Sequence, residues 1–188
     1  MISDLMAGNE KEDILSDFKS ERMALPLALT ADAAKSRLLG SAGTPPDVLA
    51  TLTGADGNNV TQNWHHYGVS LDTFAARVAP AGMVSLSTNA DKLGAAFVST
   101  MEHGSHPIYA TQWHPEANAF DRGHASVNHG FDAVRAMQWM AAFFVREARD
   151  KGVGPGDVGT VTPVDAYPTL LEQSTYTPAA STLKFVFE

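Results

Sequence analysis

Apolar and polar positions divide the chain into short alternating segments and one long helical one. Met23 to Leu29 is a compact apolar run and reads as a strand. Ala31 to Leu39 and Pro45 to Leu52 read as short helices, the second with Thr44 as its N-cap and proline in its first turn. Turn residues fill Thr51 to Asn59. Val60 to Ser70 is extended and carries Asn63-Trp64-His65-His66-Tyr67, and Leu71 to Val78 follows Ser70 as a helix. Met83 to Thr88 and Ala95 to Met101 both alternate, so Asn89 to Gly94 between them predicts a hairpin. Pro107 to Trp113 is another strand, ended by His114-Pro115-Glu116, and a Gly-, His- and Asn-rich loop runs on to Asn128.

The strongest helix spans Phe131 to Asp150. Val134, Met137, Ala141, Phe144, Val145 and Ala148 recur at three- and four-residue intervals and predict its core face. Arg146, Arg149 and Lys151 suit its negative end, and Gly152 stops it. Gly152 to Pro178 reads as a polar surface arm, and Leu183 to Phe187 as a closing strand. Met1 to Ala7 reads as one or two helical turns that begin without a cap. Mixed helices and strands without a repeat predict α/β layers in one domain, residues 1–188.

Charge and composition narrow the chemistry. The 188 residues carry 13 basic and 21 acidic side chains, a net charge of −8, which disfavours a nucleic-acid partner. No apolar run reaches the roughly 18–20 residues of a membrane span. There is no cysteine, so the residues present supply neither a disulfide nor a thiolate nucleophile.

Seven histidines raise the question of a metal. His103 and His106 lie three apart, and His65 and His66 are adjacent. Adjacent strand residues face opposite ways, and no HExxH pattern is present, so no metal or other cofactor is expected. Gly68-Val69-Ser70-Leu71-Asp72 has one of the two glycines of a serine-hydrolase elbow, and Ser70 is better read as an N-cap.

Gln112-Trp113-His114-Pro115-Glu116 is the strongest local signal. Proline ends the strand, and an extended backbone points His114 and Glu116 to one side. A carboxylate at that offset fixes the imidazole tautomer and leaves its second nitrogen as a base. The plainer reading is a surface histidine beside an acid that ends a strand.

That pentapeptide resembles the His–Pro–Glu signature of the class I glutamine amidotransferase-like fold. Phe97 to Glu102, Pro107-Ile108-Tyr109 and Gln112 to Glu116 together resemble the gamma-glutamyl hydrolases, which trim poly-gamma-glutamate tails from folates. Asn63-Trp64-His65, Ser36-Arg37, Ala133-Val134 with Phe143 to Arg149, Tyr176-Thr177 and Phe185 to Glu188 agree in order. Trp64 stands where phenylalanine is more usual, His66-Tyr67 where a basic–aromatic pair is common, and the Ala117–His129 loop has its own spacing.

The resemblance implies a three-layer fold, a flavodoxin-like, mostly parallel sheet with helices on both faces, incomplete at its N-terminus. It implies His114 as general base and acid, Glu116 as its orienting acid, His65 in the substrate pocket, and no cofactor. The family's nucleophile is a cysteine at a strand-to-helix elbow. Met1 to Ala7 resembles the later part of the helix after that elbow, so the cysteine is expected just upstream and the chain alone is expected to be inactive. The implied partner is a small poly-gamma-glutamate, with a homodimer allowed. The implied location is vacuolar, lysosomal or extracellular, and Asn59-Val60-Thr61 is a glycosylation sequon in line with it. The competing expectation is a non-catalytic relative that binds a glutamyl ligand or a protein partner.

Overall fold

Three antiparallel sheets and one long helix make up most of the structure in a computed structural model that describes residues 14–40, 42–150, 174–178 and 183–187. Strand β1 (Ser16–Leu25) pairs antiparallel with β3 (Thr61–Gly68), bringing Ser20 opposite His65 and Glu21 opposite Trp64. The register shifts between Glu21 and Met23, where Arg22 takes a left-handed backbone with φ 56°. An extra residue on one strand is a β-bulge, which bends the ribbon.

The larger sheet has the order β2-β4-β5-β6, from Ala28–Leu29, Met83–Ala90, Ala96–His103 and Tyr109–Thr111. The predicted hairpin is there as β4–β5. Its turn is built on Asp91, whose carboxylate accepts from the backbone N–H groups of Lys19, Leu93 and Ala95. Those bonds, Lys19 first, hold Asp91 below the usual carboxylate range. Gly94 supplies the positive φ of 84° that the turn needs.

Every strand pair among the described residues is antiparallel. The mostly parallel sheet expected from the resemblance is therefore not found among them. Short connections such as 91–95 and 104–108 return the chain at once, whereas parallel neighbours need a crossover of a dozen or more residues. The coarser expectation, mixed α and β structure, holds.

Two local expectations need correction. The helix expected over Ala31–Leu39 is one tight turn, Ala33–Lys35. The N–H groups of Arg37 and Leu38 instead donate to the two carboxylate oxygens of buried Glu102. Thr44 does not cap α1 (Pro46–Leu52); Pro45 takes that position, and the Thr44 hydroxyl donates to the Leu38 carbonyl at 2.8 Å. Ser70 does cap α2 (Leu71–Thr73), accepting from Thr73 N–H at 3.1 Å. A wider turn, Phe74–Val78, and a tighter one, Ala79–Ala81, carry that helix to Gly82.

Two short elements surround the His–Pro–Glu segment: β6 and α3 (Ala117–Phe120), the latter inside the stretch read as loop. Helix α4 (Phe131–Asp150) has the predicted span but not the predicted face. Its buried side chains are Ala133, Ala136, Met137, Met140 and Phe143, packed with Leu38, Val48, Leu52, Leu86 and Trp113. Ala141, Phe144, Val145 and Ala148 are exposed. A second cluster of Val69, Phe74, Val78, Met83, Val98 and Met101 lies between α2 and the sheet.

Strand β7 (Ser174–Pro178), within the expected arm, pairs antiparallel with β8 (Leu183–Phe187). The Met1–Ala7 helix and the rest of the Gly152–Pro178 arm lie outside the described residues. Among the described residues no helix is long and apolar enough to cross a membrane.

Candidate active site

Local bonding presents His114 and Glu116 together. Trp113 is buried, its indole N–H donating to Thr100 Oγ1 at 3.0 Å, which anchors the chain just before the histidine. The His114 backbone N–H donates to the Gln62 carbonyl at 2.9 Å, fastening the segment to β3. Pro115 then turns the backbone, and Glu116 occupies the N-cap position of α3. His114 Nδ1 and Glu116 Oε1 do meet, at 2.7 Å, but through this turn rather than through the extended backbone expected.

Their side chains are 39% and 62% exposed, so this pair is a wet one. The hydrogen bond from His114 holds Glu116 below the usual carboxylate range. A carboxylate that accepts a hydrogen bond from Nδ1–H keeps the proton on that nitrogen and leaves Nε2 as the basic one, the state a general base requires.

His65 is placed otherwise. It lies on β3 next to Trp64, and successive strand residues face opposite sides. Its ring is 9% exposed and packs edge-on against Phe97 at 4.7 Å and Phe18 at 6.4 Å. Nδ1 donates to the Tyr67 carbonyl at 3.0 Å, while buried Nε2 has no hydrogen-bond partner among the described residues. Burial, reinforced by the field of His114, lowers its pKa to about 4. His65 is therefore a neutral ring with one unsatisfied acceptor. No hydrogen bond or ring contact joins it to His114 among the described residues; only the electrostatic coupling does.

Trp64 does touch His114. The two ring centroids are 5.1 Å apart, and Trp64 also lies 4.9 Å from His124. His124 Nδ1 meets Asp121 Oδ2 at 2.7 Å, a second histidine–carboxylate pair. Sequence reasoning missed it. The signal was an acid three residues before a histidine, in a loop whose path no periodicity fixes.

The remaining histidines have structural roles. His103 Nδ1 accepts from the backbone N–H groups of Ser105 and His106 and so shapes the turn before β6. His129 Nδ1 donates to the Asn118 carbonyl, and His66 meets Glu21 on the surface at 2.8 Å. Among the described residues no three or more histidine or acidic side chains converge on a point that could hold a metal.

Beside Glu116 opens a groove of about 640 Å³. Tyr109, Thr111, Pro115 and Phe120 line one part of it, and Val134, Met137, Ala141 and Phe144 of α4 the other. The exposed apolar side of α4 is the floor of this groove. Near one end, Arg37 donates to the His103 carbonyl at 2.8 Å, lies over the Tyr109 ring and approaches Glu147, whose carboxylate accepts from the Tyr109 hydroxyl.

No family model matches the chain. Curated proteins do. Over 142 residues the chain is 34% identical to "Gamma-glutamyl hydrolase B" of Dictyostelium discoideum, an alignment covering 74% of this chain and 40% of that protein. It is 40% identical over 106 residues to "Probable gamma-glutamyl hydrolase 3" of Arabidopsis thaliana, covering 56% and 29%. It is 31% identical over 139 residues to "Gamma-glutamyl hydrolase" of Mus musculus, covering 73% and 42%. The aligned part thus spans about two fifths of the Dictyostelium and mouse proteins.

Proposed function

We propose, for a chain that belongs to the gamma-glutamyl hydrolase family, that it carries the histidine–glutamate part of a cysteine-type hydrolase cleaving gamma-glutamyl bonds in folyl poly-gamma-glutamates. The observation that carries this reading is the 2.7 Å contact between His114 Nδ1 and Glu116 Oε1 on an accessible rim. In it, Glu116 orients the ring and His114 Nε2 does the proton work. Nε2 takes the proton of a cysteine thiol as the thiolate attacks the gamma-carbonyl carbon. It then gives that proton to the departing amine, and water releases the glutamyl group from sulfur. His65, the pocket histidine of this reading, is neutral and buried on the face of β3 behind Trp64, where it backs the rim rather than bonding the substrate itself.

The sequence contains no cysteine, so in this reading the thiolate comes from residues outside the sequence given, and the chain alone does not turn over. The described residues form part of a single class I glutamine amidotransferase-like domain, whose remaining layers cover the groove beside Glu116. The parallel strands of that layout lie beyond the antiparallel ones described here. The reading also includes a vacuolar, lysosomal or extracellular location and leaves room for a homodimer.

The decisive experiment reads the transcript upstream of Met1. An in-frame Gly-x-Cys elbow, in a longer product that releases glutamate from folyl gamma-glutamates, is the expected result. His114→Ala then lowers kcat by about 10²–10⁴-fold. The lack of cysteine favours a second reading, a non-catalytic relative that binds a glutamyl ligand or a partner. Translation that starts at Met1 would select it and end the catalytic one.

A further inference from the structure

The loop between α3 and α4 holds a built imidazole that the reading above does not use. Asp121 is buried, with one carboxylate oxygen accepting from Gly123 N–H at 2.9 Å and the other engaged with His124 Nδ1 at 2.7 Å. The His124 carbonyl accepts from Val127 N–H at 3.0 Å, which fixes the backbone that carries the ring. The ring lies against Trp64 at 4.9 Å, with its planes tilted by 48°. His124 is thus oriented from three sides, although its side chain is 39% exposed. An orientation fixed beforehand lowers the entropic cost of engaging a ligand.

Nδ1 is committed to Asp121, so any ligand bond from this ring is made by Nε2. The same holds for His114, whose Nδ1 is committed to Glu116. Trp64 therefore contacts two imidazoles whose Nδ1 atoms are both committed and whose Nε2 atoms remain for a ligand. The two rings differ in their acids. Glu116 is on the surface, whereas Asp121 is buried and stands as a fixed counter-charge behind His124. When an acidic ligand brings a proton to the ring, Nε2–H becomes a charge-assisted donor to its anionic oxygen, with the Asp121 carboxylate on the opposite nitrogen. In a chain of net charge −8, an acidic ligand needs donors of this kind close to where it is held.

We propose that His124, oriented by Asp121 and Trp64, is a specificity-determining residue that binds a carboxylate of an acidic ligand beside the indole that also contacts His114. Under the gamma-glutamyl reading, on which this inference rests for its substrate, that carboxylate belongs to a glutamyl residue next to the bond under attack. His124 moves no proton in the reaction; it selects for charge and sets the register of the chain on the indole.

The test titrates the chain as it stands with gamma-glutamyl-glutamate and, separately, with glutarate, following the imidazole resonances by NMR. Wild type, His124→Ala and His124→Gln are compared, with their backbone amide spectra as the check on folding. The expected result is that both ligands shift the His124 resonance and both variants bind about tenfold more weakly, the size of a lost charge-assisted hydrogen bond. The His114 resonance of the unliganded variants stays where it is in the wild type. Unchanged affinity for the peptide in both variants would overturn the inference and leave the gamma-glutamyl reading standing. Loss of glutarate binding in the variants, with no preference for the peptide in wild type, would keep the inference and remove that reading. No shift at His124 with either ligand would overturn the inference, while the gamma-glutamyl reading would still be decided by the transcript upstream of Met1.

Discussion

Strand β3 and helix α4 each place neighbouring residues in opposite surroundings, the strand by its two faces and the helix by the turn from one side chain to the next. On β3, His65 faces Phe18 and Phe97 in a dry layer, while Trp64 faces the rim with His114 and His124. On α4, Phe143 is 4% exposed and Phe144 61%. The two faces of the strand part Trp64 from His65, but the alternation does not run along β3: Thr61, Gln62 and Asn63 are all buried, and His66 and Tyr67 are both exposed. A helix can carry an apolar stripe on either of two sides, and α4 carries both. One lies in the core, and the other forms the floor of the groove. Periodicity finds such a helix and leaves its rotation undetermined.

Mutations on the two sides of β3 and α4 test that contrast, and the dry side answers most strongly. Phe97 is fully buried against His65 and Phe18. Phe97→Ala is expected to cost about 3–5 kcal/mol in chemical denaturation. A loss below about 1 kcal/mol would mean that this face is not a packed layer.

The next effect is in acid. His65 has its pKa lowered to about 4, against about 6.5 in an unfolded chain. The unfolded state takes up the proton first, so stability is highest above pH 6.5 and falls as the pH drops towards 4. The total loss is about 3 kcal/mol, from about 1.4 kcal/mol per pH unit of separation. His65→Gln should flatten this slope. An unchanged slope between pH 6.5 and 4 would put the acid sensitivity on another group.

The wet side should respond weakly. Glu116→Gln breaks a contact between exposed groups and is expected to cost no more than about 1 kcal/mol of stability. It should also change the tautomer balance of His114, read from its ring nitrogen shifts. A wild-type-like ring spectrum would show that Glu116 does not orient it. The smallest effect is on α4, where Phe144→Ala is expected to change the stability of the chain by no more than about 0.5 kcal/mol. A loss of several kcal/mol would restore the helix face that periodicity first suggested.

Much of this was legible where local chemistry decides structure. The β4–β5 hairpin, the Ser70 cap, the span of α4 and the His114–Glu116 contact all follow from neighbours within a few residues. What was not legible depends on partners far along the chain. Glu102 draws the N–H groups of Arg37 and Leu38 out of a helix from some 65 residues away. Thr44 turns its hydroxyl to Leu38 and leaves the cap to Pro45. His65 reads as a pocket histidine, but its burial between two phenylalanines comes from β1 and β5. The second pair, Asp121 with His124, becomes visible only when β3 brings Trp64 between two loops. The similarity to known hydrolases reached the family and the place of His114, not the layering of the sheet.

The contact of Trp64 with two imidazoles has an optical consequence. An excited indole can pass an electron to a protonated imidazole, which darkens it. The chain has three tryptophans; Trp113 is sealed in the core and Trp139 stacks on Phe143. Among the described residues, Trp64 is the tryptophan with imidazole neighbours, His114 and His124. Its emission should dim as either ring gains a proton and recover as it leaves, so the rim carries a built-in lamp for its own chemistry.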